Sequence, residues 1–301
     1  MRKTLTLVII LLSISFVFFQ SCTYDYFEDE TNYLLYVSEV PEGVVSDCHV
    51  LVYNKAGNLA AIKSFVRTNN KDPKLELGLF GFRLLPGDYK VYCFTNTDNA
   101  SFTKVGKLEE SSLILNQSDL NKDYYVEPSD ILFQNISPQI VNPNILETDT
   151  ASLSHYTGRV TVRFKKMPID VSKIESVQLV ANNAATKQYL KEGTTTTVIT
   201  DKDKIYDKSL APVQTNPEYY ELDYRFFPTV ENKNMSFEVS FFDKSNESLA
   251  VFPVNIVDKE GMPLDLLAGQ RIIIEIESYT IINISIIGWD EDILSSDTNM
   301  E

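Results

Sequence analysis

Three cysteines and two histidines are the side chains in this 301-residue sequence best equipped for acylation, redox or metal chemistry. Cys22 stands directly after a long apolar run. Cys48 and Cys93 sit in runs of strand-forming residues and are a candidate disulfide in an oxidising compartment. Two cysteines without a dense framework do not demand that bond. His49 alternates with Leu51 and Tyr53, and His155 precedes Tyr156. Neither belongs to a His-x-x-x-His spacing or has a matching cysteine pair, so structural roles are expected for both. Carboxylates cluster at Asp201-Lys202-Asp203-Lys204 and at Asp290-Glu291-Asp292. Neither cluster has the spacing and glycine of a Ca²⁺ loop, so they read as solvated loops. There is no Gly-x-Ser-x-Gly elbow and no phosphate-binding glycine loop. No catalytic residue, cofactor or metal site is expected.

Composition agrees with that reading. The chain is 44% hydrophobic and 23% charged, which suits a folded protein. Its net charge of −15 repels phosphate backbones and argues against nucleic acid as a partner. Residues 1–21 combine Arg2 and Lys3 with an uncharged apolar stretch over residues 5–19. That stretch falls short of the ~20 residues a spanning helix needs and fits a cleaved signal peptide. It ends in Phe19-Gln20-Ser21-Cys22, which resembles the bacterial lipobox. The resemblance implies cleavage before Cys22 and acylation of that cysteine, palmitate included. Two or more acyl chains hold a soluble body stably on a membrane. Removing residues 1–21 takes away two cations and deepens the charge from −15 to −17. Residues 22–30 then form an acidic linker that resembles the surface-export signal of Bacteroidetes lipoproteins.

The elements that follow read as strands. Val160, Val162 and Phe164 alternate with Arg159, Thr161, Arg163 and Lys165. Met235, Phe237, Val239 and Phe241 do the same, as do Ile282, Ile284 and Ile286. In the first half, Cys48, Val50 and Val52 share a face, and so do Tyr89, Val91 and Cys93. Turn chemistry separates the runs at Asn54-Lys55-Ala56-Gly57-Asn58 and Leu85-Pro86-Gly87-Asp88. Residues 111–120 read as a short helix or turn. Residues 136–149, with two prolines, two asparagines and no alternation, read as a connector. The expected class is all-β, with β-sandwich domains over residues 31–150 and 151–301.

The order of these pieces resembles the fimbrial anchor lipoproteins of the Bacteroidales, FimB-like members of the fimbrillin superfamily. Four features carry it: the lipobox cysteine with its acidic segment, the strand from Cys48 to the Asn54-Lys55-Ala56-Gly57 turn, the Pro86-Gly87-Asp88-Tyr89 strand ending at Asn96, and the isoleucine-rich strand ending at Gly288-Trp289. The resemblance implies two tandem transthyretin-like (Greek-key) sandwiches and pilus assembly by strand exchange. It implies fimbrial shaft subunits as partners, attachment to the outer membrane through acyl chains, and contact with host or bacterial surface ligands through the assembled fimbria. Shaft subunits of the family lose their first strand after an arginine. Here the first arginine past Cys22 is Arg67, behind two strand-like runs, which suits an anchor that keeps its first strands. The C-terminal strand, with Ile282, Ile284, Ile286 and Trp289, is then the candidate for exchange. The abundant aromatics, 16 Tyr and 17 Phe, support a rival reading, a surface glycan-binding lipoprotein of a polysaccharide-uptake system.

Overall fold

The computed structural model describes residues 31–69, 71–119, 124–167, 169–191, 204–210, 213–216, 219–229, 235–257, 261–278 and 280–289. Residues 1–21, Cys22 and the acidic linker lie outside the described residues, as do Asp201 to Asp203 and Asp290 to Asp292. In chain order the first half holds β1 (Tyr33–Val37), β2 (Asp47–Asn54), β3 (Leu59–Val66), β4 (Leu79–Phe82), β5 (Gly87–Thr95), β6 (Ala100–Thr103), β7 (Ser112–Leu115), β8 (Tyr124–Tyr125), β9 (Leu132–Ile136), β10 (Gln139–Ile140), β11 (Glu147–Ala151) and β12 (Ser154–His155). The second holds β13 (Gly158–Lys166), β14 (Ser176–Asn182), β15 (Lys187–Tyr189), β16 (Lys204–Leu210), β17 (Val213–Asn216), β18 (Tyr219–Phe226), β19 (Ser236–Phe242), β20 (Ser248–Asn255), β21 (Gln270–Glu277) and β22 (Thr280–Gly288). The class is all-β, as the alternation predicts.

Burial on β2 explains the layering of the first half. Cys48, Val50 and Val52 on one face and Leu51 and Tyr53 on the other are all fully buried. A strand buried on both faces needs a layer on each side. The sheet β12-β9-β5-β2-β3 is therefore a middle layer. The sheet β11-β1-β4 covers one side, where Tyr33, Leu35 and Phe80 meet Cys48, Val50, Val91 and Cys93. On the other side, Leu51, Tyr53, Tyr92 and Phe94 join Leu113 and Leu115 of the β6–β7 hairpin in a core that runs into the second half. The β2–β3 turn forms as its residues require. Gly57 takes φ +77°, and the Asn54 amide oxygen accepts from the Ala56 and Asn58 N–H groups.

The second half is a sandwich of β17-β18-β13-β21-β22 against β20-β19-β14-β16-β8. Val160, Val162 and Phe164 face inward with Ile272, Ile274, Phe237, Val239 and Phe241, as their spacing predicts. The pairing is mixed: β13 runs antiparallel to β18 and parallel to β21. The halves also exchange strands, since β8 pairs with β16 and β15 pairs with β7.

Two local expectations are corrected. Residues 111–120 contain β7, because buried Leu113 and Leu115 fill the core while the backbone pairs with β6 and β15. Residues 136–149 hold β10 and most of β11, whose backbone pairs with β5 and β1 despite weak side-chain alternation. Beyond residue 151, β12 pairs with β9 of the first half.

Candidate functional site

The C-terminal strand closes its sheet. Among the described strands β22 pairs with β21 alone, with Ile284 opposite Ile274 and Ile286 opposite Ile272. Ile284 packs partly on the core, whereas Ile281 and Ile286 are exposed along the strand. The Ile282 side chain lies outside the described residues. Asn283 donates to the Glu275 carboxylate and to Ser285, tying the outer face of the hairpin. The strand ends in a lock. Trp289 is 7% exposed, its N–H donates to the Gly269 carbonyl, and its ring stacks on His155 at 4.1 Å and 17°. His155 Nδ1 lies 2.8 Å from the Asp130 carboxylate, and the Arg159 guanidinium sits 6.0 Å from the indole ring. The last strand is thus fastened to residues of both halves.

The N-terminal strand is held differently. β1 is the central strand of its sheet, with parallel β11 on one side and antiparallel β4 on the other. Buried Asn32 exchanges side-chain hydrogen bonds with Leu84, and its carbonyl accepts from Glu147 N–H. The Tyr33 hydroxyl donates to Asp149; burial and then that carboxylate push the phenol well above its usual range. Arg67 donates to the carbonyls of Val40 and Val45, closing the loop between β1 and β2.

Sequence spacing does not reveal the outer face of the β13 sheet. Arg159 forks onto Asp223, which also accepts from Thr161, and Arg163 donates to Glu221. Arg271 donates to Thr161 and lies between Glu221 and Asp223. Burial raises the Asp223 carboxyl, but the bonds from Arg159 and Thr161 outweigh it and hold the group below its usual value. Burial, then Arg159, pulls Arg271 below its usual value. The arrangement makes cross-strand ion pairs and presents no nucleophile.

The remaining candidates fall apart from one another. Cys48 and Cys93 are free thiols with sulfurs 3.6 Å apart on neighbouring strands, both fully buried. Burial, then Cys93, pushes the Cys48 thiol well up. His49 is in a strand against Ser64 and Phe102, near Asp47. Burial lowers its pKa, opposed by Asp47 and Asp98. Among the described residues no group of three or more His, Cys, Asp or Glu is placed to hold a metal ion. The aromatics gather inside, where Phe94 meets Phe133 at 4.7 Å and Tyr156 at 5.3 Å. A sugar platform needs exposed rings, and these are core rings.

A layered all-β body with its last strand at an open edge has the build of a subunit that joins others by strand pairing. Residues 28–294 match the family of fimbrillin-A associated anchor proteins Mfa1 and Mfa2, and the chain belongs to it. No curated protein matches the sequence. The solved structures that share the fold include the following three. An adhesin candidate of Bacteroides ovatus is 12% identical with a TM-score of 0.53, covering 75% of this chain and 83% of its own. A polysaccharide-binding candidate of Bacteroides thetaiotaomicron is 14% identical with a TM-score of 0.53, covering 86% and 97%. The fimbrial anchor protein Mfa2 of Porphyromonas gingivalis is 14% identical with a TM-score of 0.51, covering 85% and 97%. The expected family is therefore the right one. The chain is a fimbrial adhesion subunit, associated with the cell surface and with other fimbrial subunits.

Proposed function

We propose that this chain is the base of the fimbria: acylated Cys22 holds it on the outer membrane, and its C-terminal strand joins the first shaft subunit. The observation that supports this is the inequality of its two terminal strands. β1 is paired on both sides, so removing it breaks two ladders, whereas among the described strands β22 is paired on one side. The first strand stays, and the last offers an edge that no other described strand pairs, with exposed Ile281 and Ile286, to a neighbour. Bond chemistry has no part in this role. Deleting residues 280–301 should release fibres from cells, and Ile281→Lys with Ile286→Lys should do so with the hairpin retained. Unchanged fibre retention in both variants, or a mature form cut at Arg67 and free of membranes, overturns the reading. Cys22→Ala should abolish palmitate labelling.

A further inference from the structure

Four large aliphatic side chains stand in water at one end of the first half. Leu85 is 79% exposed, Val141 72%, Ile145 53% and Leu146 41%. They lie on two loops that the fold holds together. Across β10 and β5, Ile140 faces Gly87, and Arg83 donates to the Pro143 carbonyl at 2.6 Å. Scattered single apolar residues on a surface carry no message, but a group on adjoining loops does.

The backbone of these loops is prepared for an apolar surrounding. Pro86 and Pro143 have no N–H to leave unpaired. The Leu84 carbonyl accepts from Asn32, the Leu85 carbonyl from the Tyr89 hydroxyl, and the Asn142 carbonyl from Ile145 N–H. Entering a low-dielectric layer is costly chiefly for unpaired backbone groups, so this internal pairing lowers the penalty.

The same end receives the chain from its tether. Asn32 is bonded to Leu84 on one side and to Glu147 on the other, next to Leu85 and Leu146. Cys22 lies ten residues earlier, a reach of at most about 35 Å when fully extended. An acyl chain on Cys22 therefore keeps these loops within reach of lipid.

We propose that Leu85, Val141, Ile145 and Leu146 form a membrane-contacting face that enters the headgroup–acyl boundary and sets the body's orientation on its tether. This rests on the lipid-anchor reading. The occupant is the bilayer because the patch lies at the tethered end and is apolar. A chain of net charge −15 gains little from electrostatic attraction to an anionic surface.

The test couples the chain from Cys22 onward, through that thiol, to a maleimide lipid in phosphatidylcholine vesicles. Cys48 and Cys93 are fully buried and do not compete. Leu85→Trp and Val141→Trp are compared with Met262→Trp, a 62% exposed position in the second half, with wild-type emission as blank. With brominated acyl chains, the first two should shift to the blue and lose most of their added emission, while Met262→Trp keeps its own. Emission of Leu85→Trp and Val141→Trp that bromolipid leaves unchanged overturns the proposal, as does equal quenching at all three sites. So does a shift produced by an added shaft subunit and not by lipid. The synthetic tether makes the outcome independent of natural acylation, which Cys22→Ala labelling tests separately.

Discussion

Replacing Trp289 with alanine should unfasten the C-terminal strand, and the magnitude follows from the ring's surroundings. At 7% exposure nearly the whole side chain is out of water. An indole buries about 150–250 Å², worth about 4–6 kcal/mol at ~25 cal/mol/Å² as an upper limit. Measured Trp→Ala losses run at about 3–5 kcal/mol, less where neighbours collapse into the gap. His155 and Arg159, which flank the ring, can move inward, so about 3 kcal/mol is expected. About 0.5–1.5 kcal/mol of this belongs to the stack on His155. A double-mutant cycle with His155→Ala should recover that coupling. Urea unfolding must be followed by far-UV circular dichroism, because the variant lacks the chain's single tryptophan. Hydrogen exchange should quicken first at the β22 amides. A loss under about 1 kcal/mol, or strict additivity with His155→Ala, would refute the lock.

Four further outcomes are expected. Gly78→Ala places a Cβ 2.2 Å from the Val37 carbonyl at φ +71°, so it should cost at least ~2 kcal/mol and loosen β1. Gly43→Ala, at φ +79° with open space around it, should cost only about 1 kcal/mol in the same urea titration. Oxidation during refolding, when the two thiols are not yet buried, should close Cys48 to Cys93, visible as loss of two hydrogens in the intact mass. The 45-residue separation predicts about 4 kcal/mol of added stability. Asp223 has a folded pKa below its unfolded one, so its stabilisation is complete above the ordinary carboxylate range and fades as pH falls through the folded value. Asp223→Asn should therefore lose about 2 kcal/mol at neutral pH and flatten the acid limb below about pH 4 in unfolding titrations.

What could be read from the sequence was which way side chains point, and what could not was which strands meet. Val160, Val162 and Phe164 were assignable to a buried face because a two-residue period is local. The same holds for Cys48, Val50 and Val52 on β2 and for Tyr89, Val91 and Cys93 on β5, but that the two faces share one core is set by the pairing of the strands. That β13 would lie parallel to β21 depends on a long connection and leaves no local mark. The exchange of β8 and β15 between halves is equally silent, since strands of two and three residues carry too little period. Trp289 is legible as the end of the isoleucine-rich strand, but its stacking partner His155 is remote in sequence and carries no local sign of the contact. Arg159, Arg163, Glu221 and Asp223 belong to the polar half of ordinary alternation, and only register sets Arg163 opposite Glu221 and brings Asp223, opposite Thr161, diagonal to Arg159. Cys22 rests on a motif whose residues lie outside the described structure.

The two chain ends differ in a way that bears on how a fibre could be held. A load applied at Cys22 would enter through β1, all five of whose residues are in register with parallel β11. A load directed along β1 shears this ladder, so its hydrogen bonds resist together. Antiparallel β4 holds the opposite edge, and Gly78 and Asn32 close its two ends. At the other terminus β22 has, among the described strands, one ladder, to β21, and Trp289 at its end fastens it. Rupture should therefore start at the C-terminal side, and Trp289→Ala should lower the rupture force there while Gly78→Ala lowers it at β1. On the proposed reading the chain would then keep its tether and give up its neighbour first, which is the order a reversible joint above a permanent anchor requires.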